Sequence, residues 1–339
     1  MWAPPGLLIA LTLSMLVTGL FAATTSAAAF GVYNPTWQGT SDLQSRATNA
    51  GAQTDVVLNT SAYPTEDHER TLVIVLTPDR PYNPRDIRRL RQFVADGGTL
   101  LVAEDFGPYS NQLLAGVGST VRFDGRLLRD ERHYYRSPNL TVATNVAPHP
   151  LTNGVDRLTL NHGTALVNAS GDGKRALVNS SRYAYLDANR NSRFDGSESL
   201  RRRPVVAVES VGTGRVVVVS DPSVLINAML DRPSNRAFVD GLFASYRQVL
   251  LDYSHADSVP PLTHAAATVG ESELLQIGTC LIVVALFLLV GRFLPGFVSS
   301  STDVEPLDEE AVLARLRNEH PEWDEDRLER VATARFREK

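Results

Sequence analysis

The stretch from residue 71 to residue 103 constrains the fold more than any other part of the chain. Thr71–Thr77 (TLVIVLT) is a continuous apolar run, as expected of a strand buried on both faces of a parallel sheet. Pro84–Asp96 follows with apolar side chains at helical spacing, a Gly-Gly pair ends the helix, and Thr99–Ala103 (TLLVA) reads as a second strand. This order predicts a right-handed βαβ unit.

Further elements on both sides of that unit predict an open, mostly parallel, doubly wound α/β sheet. Short β-strand patterns between about residues 120 and 200 predict a β-rich insertion. The other predicted strands are Phe30–Asn34, Asp55–Asn59 and a hairpin of Val205–Val211 with Arg215–Ser220. The other predicted helices are Ser41–Ala50, a helix that Asp221 opens, and a long amphipathic helix over Asn235–Tyr253.

Two apolar segments predict membrane spans on either side of this domain. Leu7–Ala29 has no charged side chain and is long enough as a helix to cross ~30 Å of hydrocarbon, although its last residues also resemble a signal-peptide cleavage site. Leu274–Gly291 has neither a charge nor a polar face, and Arg292 after it favours a cytoplasmic C-terminal side. We therefore expect a two-pass protein of the cell membrane, with the lipid bilayer as a partner, both termini cytoplasmic and the large domain outside.

These features divide the 339 residues into five segments. The predicted segments are a transmembrane anchor or signal peptide at 1–29, an α/β domain at 30–253, a linker at 254–272, a transmembrane helix at 273–298 and a helical cytoplasmic tail at 299–339. The tail carries 12 acidic and 7 basic side chains, so it accounts for the whole net charge of −5. Its short apolar faces predict two helices, which either dock a partner or are simply solvated. An acidic balance excludes a basic nucleic-acid-binding protein.

Four motifs carry a likeness to a known family. They are TLVIVLTP at 71–78, DIRRLRQFVADGGTLLVAEDFG at 86–107, HPLTNGV at 149–155 and GTGRVVVVSDPSVLINAML at 212–230. Together they resemble the membrane-anchored family of domain of unknown function 4350. The resemblance implies a class I glutamine amidotransferase-like, flavodoxin-like domain over most of 30–253. It also implies a MoxR-type ATPase and neighbouring membrane proteins as partners.

Active amidotransferases of that superfamily carry a nucleophilic cysteine at a tight elbow between a strand and a helix. By motif position the elbow here follows Thr99–Ala103 and reads Glu104-Asp105-Phe106-Gly107, with neither Cys nor Ser. The single cysteine, Cys280, lies in the second apolar segment. The sequence therefore predicts a membrane-anchored, catalytically inactive, amidotransferase-like module that binds a ligand or a protein as part of an envelope complex. Whether it is an enzyme stays open, with absence of activity favoured.

Polar residues at the predicted strand ends define a ligand crevice, because open parallel sheets bind ligands beyond their carboxyl ends. These residues are Asn34, Asp79, Glu104, Asp105, Asp221 and Ser223. Three of them, Glu104, Asp105 and Asp221, also support an alternative function as a metal-assisted hydrolase. The plainer alternative is that these residues cap helices and solvate turns, which require the same residue types.

The segment from Asp187 to Glu198 matches the spacing of an EF-hand-type calcium loop, in which oxygen ligands occupy positions 1, 3, 5, 7, 9 and 12. Those positions hold Asp187, Asn189, Asn191, Arg193 (through its carbonyl), Asp195 and Glu198. Ser192 departs from the pattern, since glycine is usual at position 6. We expect a structural Ca²⁺ ion of low affinity and no other cofactor. The alternative is a polar hairpin loop without metal.

Overall fold

The computed structural model describes residues 5–63, 67–257, 259–270, 274–278, 281 and 309–337. The chain divides into two compact units, Met1–Glu271 and Ser272–Lys339. The helices of the first unit are α1 (Pro5–Thr24), α2 (Asp42–Asn49), α3 (Pro84–Ala95), α4 (Ser110–Val117), α5 (Asn227–Leu230), α6 (Pro233–Phe243) and α7 (Pro261–Gly270). Those of the second unit are α8 (Glu309–Glu319) and α9 (Glu325–Arg337).

Fifteen strands lie in the described part of the first unit. They are β1 (Gln53–Val57), β2 (Thr71–Leu76), β3 (Thr99–Ala103), β4 (Arg122–Phe123), β5 (Leu127–Asp130), β6 (Tyr134–Tyr135), β7 (Ser137–Ala143), β8 (Asn145–Val146), β9 (Leu158–Thr159), β10 (Leu166–Val167), β11 (Lys174–Asn179), β12 (Ala184–Asp187), β13 (Pro204–Val211), β14 (Gly214–Val219) and β15 (Gln248–Asp252).

Eight of these strands form the central sheet, in the order β1-β15-β2-β3-β14-β13-β11-β8. The five strands from β1 to β14 in that order pair in parallel, whereas β14-β13, β13-β11 and β11-β8 are antiparallel pairs. The sheet is therefore mixed, and the prediction of a mostly parallel doubly wound sheet is wrong. The β13-β14 hairpin starts the antiparallel part of the sheet, and β11 and β8 from the region between β3 and β13 extend it.

Alternating side chains of the central strands feed two separate cores. On one face Val217 and Val219 of β14 pack with Phe238 and Leu242 of α6. On the other face Val216 and Val218 join Leu90 and Phe93 of α3. We call these the α6 face and the α3 face. Because both faces are covered, β2, β3 and β14 consist almost wholly of buried apolar residues.

The end of the first unit departs from the predicted long helix over Asn235–Tyr253. Helix α6 ends at Phe243, and Gln248–Asp252 forms β15, which inserts between β1 and β2. The predicted strand at Phe30–Asn34 is also wrong, since these residues form turns in which Asn34 Nδ2 donates to the carbonyl of Ala28 at 2.7 Å. The predicted linker at 254–272 contains helix α7.

None of the helices in the described residues combines the length and the apolar character needed to cross a bilayer. The apolar segment Leu7–Ala29 does not form one helix, because α1 ends at Thr24 and the carbonyl of Ala28 is used by the following turns. Most of Leu274–Gly291 lies outside the described residues. The prediction of two transmembrane helices is therefore wrong, and so is the two-pass location in the cell membrane with an external domain and cytoplasmic termini.

The second unit contains a helical pair at the position of the predicted tail. Leu316 of α8 and Leu328 and Ala332 of α9 are buried against one another. Trp323, between the helices, packs on this small core and stacks with His320 at a ring-centroid distance of 4.0 Å. The apolar faces of the two helices thus pack on each other.

Candidate functional site

The carboxyl ends of β3 and β14 form a topological switch point. The two strands are parallel neighbours. After β3 the chain enters α4, whose Leu113 and Leu114 pack on the α3 face, whereas after β14 Val224 and Leu225 pack on the α6 face. In open α/β sheets such a divergence leaves a crevice beyond the strand ends, where ligands commonly bind. We call the crevice between Glu104–Gly107 and Asp221 the elbow crevice.

Glu104 closes its own side of the elbow crevice. Its Oε1 accepts the backbone N–H groups of Asp105 and Gly107, both at 2.9 Å, and its Oε2 accepts the hydroxyl of Ser110 at 3.1 Å. Burial raises the pKa of Glu104, although the two backbone hydrogen bonds oppose the shift. The amides that a strand-to-helix elbow presents to a substrate are thus already bonded to a side chain of the protein.

Asp221 closes the opposite side. Its Oδ1 accepts the N–H of Ser223 at 2.8 Å and its Oδ2 accepts the N–H of Asn161 at 2.5 Å, so it caps the turn after β14 and ties it to the β-rich region. Complete burial raises its pKa to about 7, and the nearby charge of Asp105 acts in the same direction. Gly163 approaches closely, since an added Cβ would lie 2.9 Å from Asp221 Cβ.

The other predicted crevice residues separate into different places. Asp105 stands at the elbow and accepts the N–H of Phe106 at 2.6 Å, and Ser223 lies beside Asp221 with its hydroxyl 3.4 Å from the carbonyl of Asn161. Asn34 is used within its own turn. Asp79 lies at the end of β2, where its Oδ2 accepts the N–H of Asp257 at 2.9 Å.

The segment 187–198 forms a loop that its own hydrogen bonds hold. Both oxygens of Asp187 accept backbone N–H groups, from Asn191 at 3.0 Å and from Ser192 at 2.9 Å. Arg190 and Ser192 adopt left-handed backbone conformations, with φ of 58° and 63°. Ser192 therefore takes the conformation for which glycine is usual at position 6.

The remaining oxygens of this loop are engaged within it. Glu198 accepts the N–H groups of Ala188 at 3.1 Å and Asp195 at 3.3 Å, and Asp195 Oδ2 accepts the side-chain amides of Asn189 and Asn191. Across the described ranges no group of three or more His, Cys, Asp or Glu side chains is arranged to hold a metal ion. Calcium binding by this loop stays a prediction.

A polar network that the sequence did not indicate lies where β15 ends. The buried Asp252 accepts the hydroxyl groups of Tyr63 and Tyr82 on Oδ2 and the N–H of Ser254 on Oδ1 at 2.8 Å. Burial, followed by the charge of Asp252, raises the pKa of both tyrosines well above the usual value. The two phenols therefore remain protonated donors, which fix the carboxylate at the strand end.

His255 connects this network to α3. Its ring stacks on Tyr82 with centroids 3.7 Å apart, its Nδ1 lies 2.7 Å from Ser254 Oγ, and its Nε2 lies 3.5 Å from Asp86 Oδ2. Burial lowers the pKa of His255, against the opposing charges of Asp252 and Asp86. The imidazole is therefore neutral at pH 7, with one N–H donor and one acceptor nitrogen.

Asp86, in the first turn of α3, is held by short hydrogen bonds. Its Oδ1 accepts the hydroxyl of Thr60 and its Oδ2 accepts the amide of Asn83, each at 2.5 Å. Arg89 NH1 donates to Thr60 at 2.8 Å and lies 3.6 Å from Asp86 Oδ1. Thr60, which follows β1, and Arg89 of α3 thus both lie against this carboxylate.

Two cavities meet at His255. The first, of about 590 Å³, is lined by Leu58, Asn59, Thr60, Ser61, Arg80, Pro81, Asn83, Arg85, Asp86, Arg89, Ser254 and His255. We call it the arginine cavity. The second, of about 440 Å³, includes Asp79, Tyr82, Asp252, Tyr253, His255 and Asp257 in its lining. We call it the acidic cavity, and it contains Asp79 of the predicted crevice.

Sequence reasoning missed these cavities because it placed Asp252 within a helix and Ser254 and His255 in a linker. A strand ending at Asp252 would have brought all three to the carboxyl edge beside Asp79. The polar run Asp252-Tyr-Ser-His-Ala-Asp257 directly after an apolar VLL segment was the signal available.

Several solved structures are similar to parts of this chain. The N-terminal domain of mmIFT52 is 17% identical, with a TM-score of 0.40, over 51% of this chain and 75% of that domain. An exo-β-1,4-mannosidase from Opitutaceae bacterium strain TAV5 is 18% identical (TM-score 0.27; 51% of this chain, 25% of that one). A β-galactosidase from Bacillus circulans sp. alkalophilus is 15% identical (TM-score 0.32; 61% and 26%). The match thus spans about a quarter of each glycosidase.

A search of curated proteins finds no match. A family model described as domain of unknown function (DUF4350) matches residues 32–243. This range covers more than half of the chain, and it contains β1 to β14 together with both residues that close the elbow crevice. The chain therefore belongs to the DUF4350 family.

Proposed function

We propose that this protein is an amidotransferase-like ligand-binding module that is catalytically inactive at the elbow. One observation carries the proposal: Glu104 occupies the elbow and binds the N–H groups of Asp105 and Gly107. Acyl transfer at such a site needs a nucleophile and free N–H donors for the oxyanion. The residues of this elbow offer no thiol or hydroxyl, and the two donors are bonded to a carboxylate.

The ligand site in this proposal is the arginine cavity. Its volume of about 590 Å³ falls in the range of small-molecule sites, and it lies beyond the carboxyl ends of β1 and β15. The residues around it are held by hydrogen bonds at Asp86 and Asp252, so the site is formed before a ligand arrives.

The two hydrolytic alternatives have less support. A metal-assisted hydrolase would need free oxygens on Glu104, Asp105 and Asp221, but the oxygens of Glu104 and Asp221 are bonded to backbone N–H groups and a hydroxyl. The second alternative is a catalytic triad, because His255 lies between Ser254 and Asp86 in space. However, the 3.5 Å between His255 Nε2 and Asp86 Oδ2 is too long for the orienting hydrogen bond.

Glutamine hydrolysis tests the catalytic half of the proposal. Ammonia release from glutamine by the full-length protein should equal that of a buffer blank. Glutamine-dependent release that Glu104→Ala abolishes would contradict inactivity at the elbow.

Ligand binding tests the other half, with thermal unfolding of the full-length protein against a panel of anionic, cationic and neutral small molecules. Compounds that bind the folded state should raise Tm. Ser61→Trp, which places a bulky ring in the arginine cavity from an exposed position, should remove the shift for every class. Ser45→Trp, on the exposed side of α2, is the matched control and should retain it. If no compound raises Tm, or if Ser61→Trp responds like the wild type, the cavity is not a ligand site.

A MoxR-type ATPase as partner follows from the family resemblance alone and stays a prediction. Recovery of such an ATPase with the affinity-purified full-length protein is the measurement that addresses it.

A further inference from the structure

The arginine cavity is positively charged although the whole chain is acidic, with a net charge of −5. Three arginines line it, and Asp86 is the one carboxylate among the lining residues. Both oxygens of Asp86 already accept hydrogen bonds, from Thr60 and Asn83. The single carboxylate therefore offsets only one of the three guanidinium charges around it.

The three arginines differ in how far they are already paired. Arg80 Nε lies 2.8 Å from Asp257 Oδ1, so its charge is largely matched. Arg89 uses NH1 for Thr60 and approaches Asp86 only to 3.6 Å. Arg85 is exposed, and within the described part of the chain no carboxylate lies within ion-pair distance of its side chain. Arg85 and Arg89 stand one helical turn apart on α3, so their side chains emerge on the same face.

The rest of the lining is polar and uncharged. Asn59, Ser61 and Ser254 bring amide and hydroxyl groups, and His255 brings a neutral imidazole. Apolar side chains contribute little to the lining, which disfavours a hydrophobic ligand, and the guanidinium groups disfavour a cation. Guanidinium groups bind carboxylate and phosphate oxygens in a bidentate geometry, which makes them the usual partners of such anions.

We propose that the arginine cavity binds a small organic oxyanion, with Arg85 and Arg89 holding the charged group and the amide and hydroxyl side chains holding a polar body. The volume of about 590 Å³ leaves room for such a body beside the charged group. This inference rests on the proposed function, because it names the ligand class of the same cavity.

Isothermal titration of the full-length protein tests the ligand class with three probes that share one polar body. The probes are glycerol 3-phosphate, glycerate and glycerol. We expect one of the two anions to bind and glycerol to give no heat, and the anion that binds identifies phosphate or carboxylate as the preferred group. Arg85→Gln and Arg89→Gln should each weaken binding at least tenfold. Arg88→Gln is the matched control, exposed on the same helix outside the cavity lining, and should change affinity less than twofold.

Three results would overturn the inference. Glycerol could bind as tightly as the anions, the Arg85→Gln protein could bind them as the wild type does, or both anions could fail to bind. Arg85 is exposed and its side chain makes no hydrogen bond or ion pair with the described residues, so a loss of binding in Arg85→Gln does not reflect misfolding. A different outcome would separate this inference from the proposed function. If neither anion binds, but a neutral or cationic compound raises Tm and Ser61→Trp removes that rise, then the cavity is a ligand site whose ligand is not an oxyanion. If no compound of any class raises Tm, both the oxyanion inference and the proposed ligand site are wrong.

Discussion

Asp221 is a buried acid whose two oxygens accept the backbone N–H groups of Asn161 and Ser223. Burial raises its pKa to about 7 in the folded protein, whereas an aspartate in an unfolded chain titrates near ~3.9. A raised folded-state pKa stabilises the fold fully below the unfolded-state pKa, and this contribution is lost as pH rises through the folded-state value. Glu104, whose pKa is also raised by burial, acts in the same direction.

We therefore predict that the contribution of Asp221 to the free energy of unfolding falls between pH 5 and pH 8, and that Asp221→Asn lacks this contribution. The variant loses one acceptor, so at pH 5 it should be less stable than the wild type by about 1–3 kcal/mol. Urea denaturation at the two pH values measures both effects. Equal pH slopes for the wild type and Asp221→Asn would show that this carboxyl does not titrate as argued.

Gly107 is required by the carboxylate of Glu104, because a Cβ added at Gly107 would overlap it. We predict that Gly107→Ala forces Glu104 out of its position and destabilises the protein by about 1–3 kcal/mol. Gly196→Ala is the matched control, since an added Cβ there meets nothing within 4 Å. Thermal unfolding of the two variants compares them, and equal Tm values would argue against the tight elbow.

At the scale of elements, the strands with unbroken apolar runs could be predicted from the sequence. Strand β15, the last in chain order, could not. Strand β3 has the predicted bounds, and β2 ends one residue earlier than predicted. In β15, Val249 continues a helical spacing that begins at Phe238 of α6, so one periodicity spans two elements. Pairing with both β1 and β2 overrides that local pattern, since a parallel strand is decided by its neighbours.

The candidate site was predictable only in part for the same reason. Glu104 and Asp221 follow strands that the sequence shows clearly, so their position at the crevice could be inferred. His255 and Asp86 come together because β15 lies beside β2, and α3 begins just after β2. No sequence spacing links residues so far apart, and the arginine cavity therefore required the strand order.

The loop at 187–198 belongs to this scale as well, since Ser192 has a left-handed backbone at the position where a calcium loop usually has glycine. If the loop binds calcium, millimolar Ca²⁺ should raise the Tm of the full-length protein relative to chelator, by mass action on the folded state. Asp187→Asn together with Glu198→Gln should remove the shift. Equal Tm values in calcium and in chelator would contradict calcium binding. The loop would then be held by its own hydrogen bonds alone.

At the scale of the whole molecule, the central sheet separates two cores that share no side chains. Leu90 belongs to the α3 face and Leu242 to the α6 face, and both are fully buried. Leu90→Ala and Leu242→Ala should each lower the free energy of unfolding by roughly 2–5 kcal/mol. We predict that the double variant shows the sum within about 0.5 kcal/mol, because the sites have no common contacts.

Urea denaturation of the two single variants and the double variant measures this coupling. A double variant that loses much less than the sum would mean that the cores respond as one packed unit across the sheet. If the double variant does not fold, the conservative pair Leu90→Val and Leu242→Val gives the same cycle with smaller losses.

The placement of β15 decides how much of the chain must be made before the sheet can close. Strands β1 and β2 have no direct pairing, and the strand that joins them is the last of the fifteen in chain order. During synthesis β1 therefore waits unpaired until residue 252 has left the ribosome. A fragment cut at the bounds of the family match, 32–243, lacks β15 and exposes the edges of β1 and β2 to other chains. Expression of the domain for crystallography or binding work should therefore extend past the family boundary, through β15.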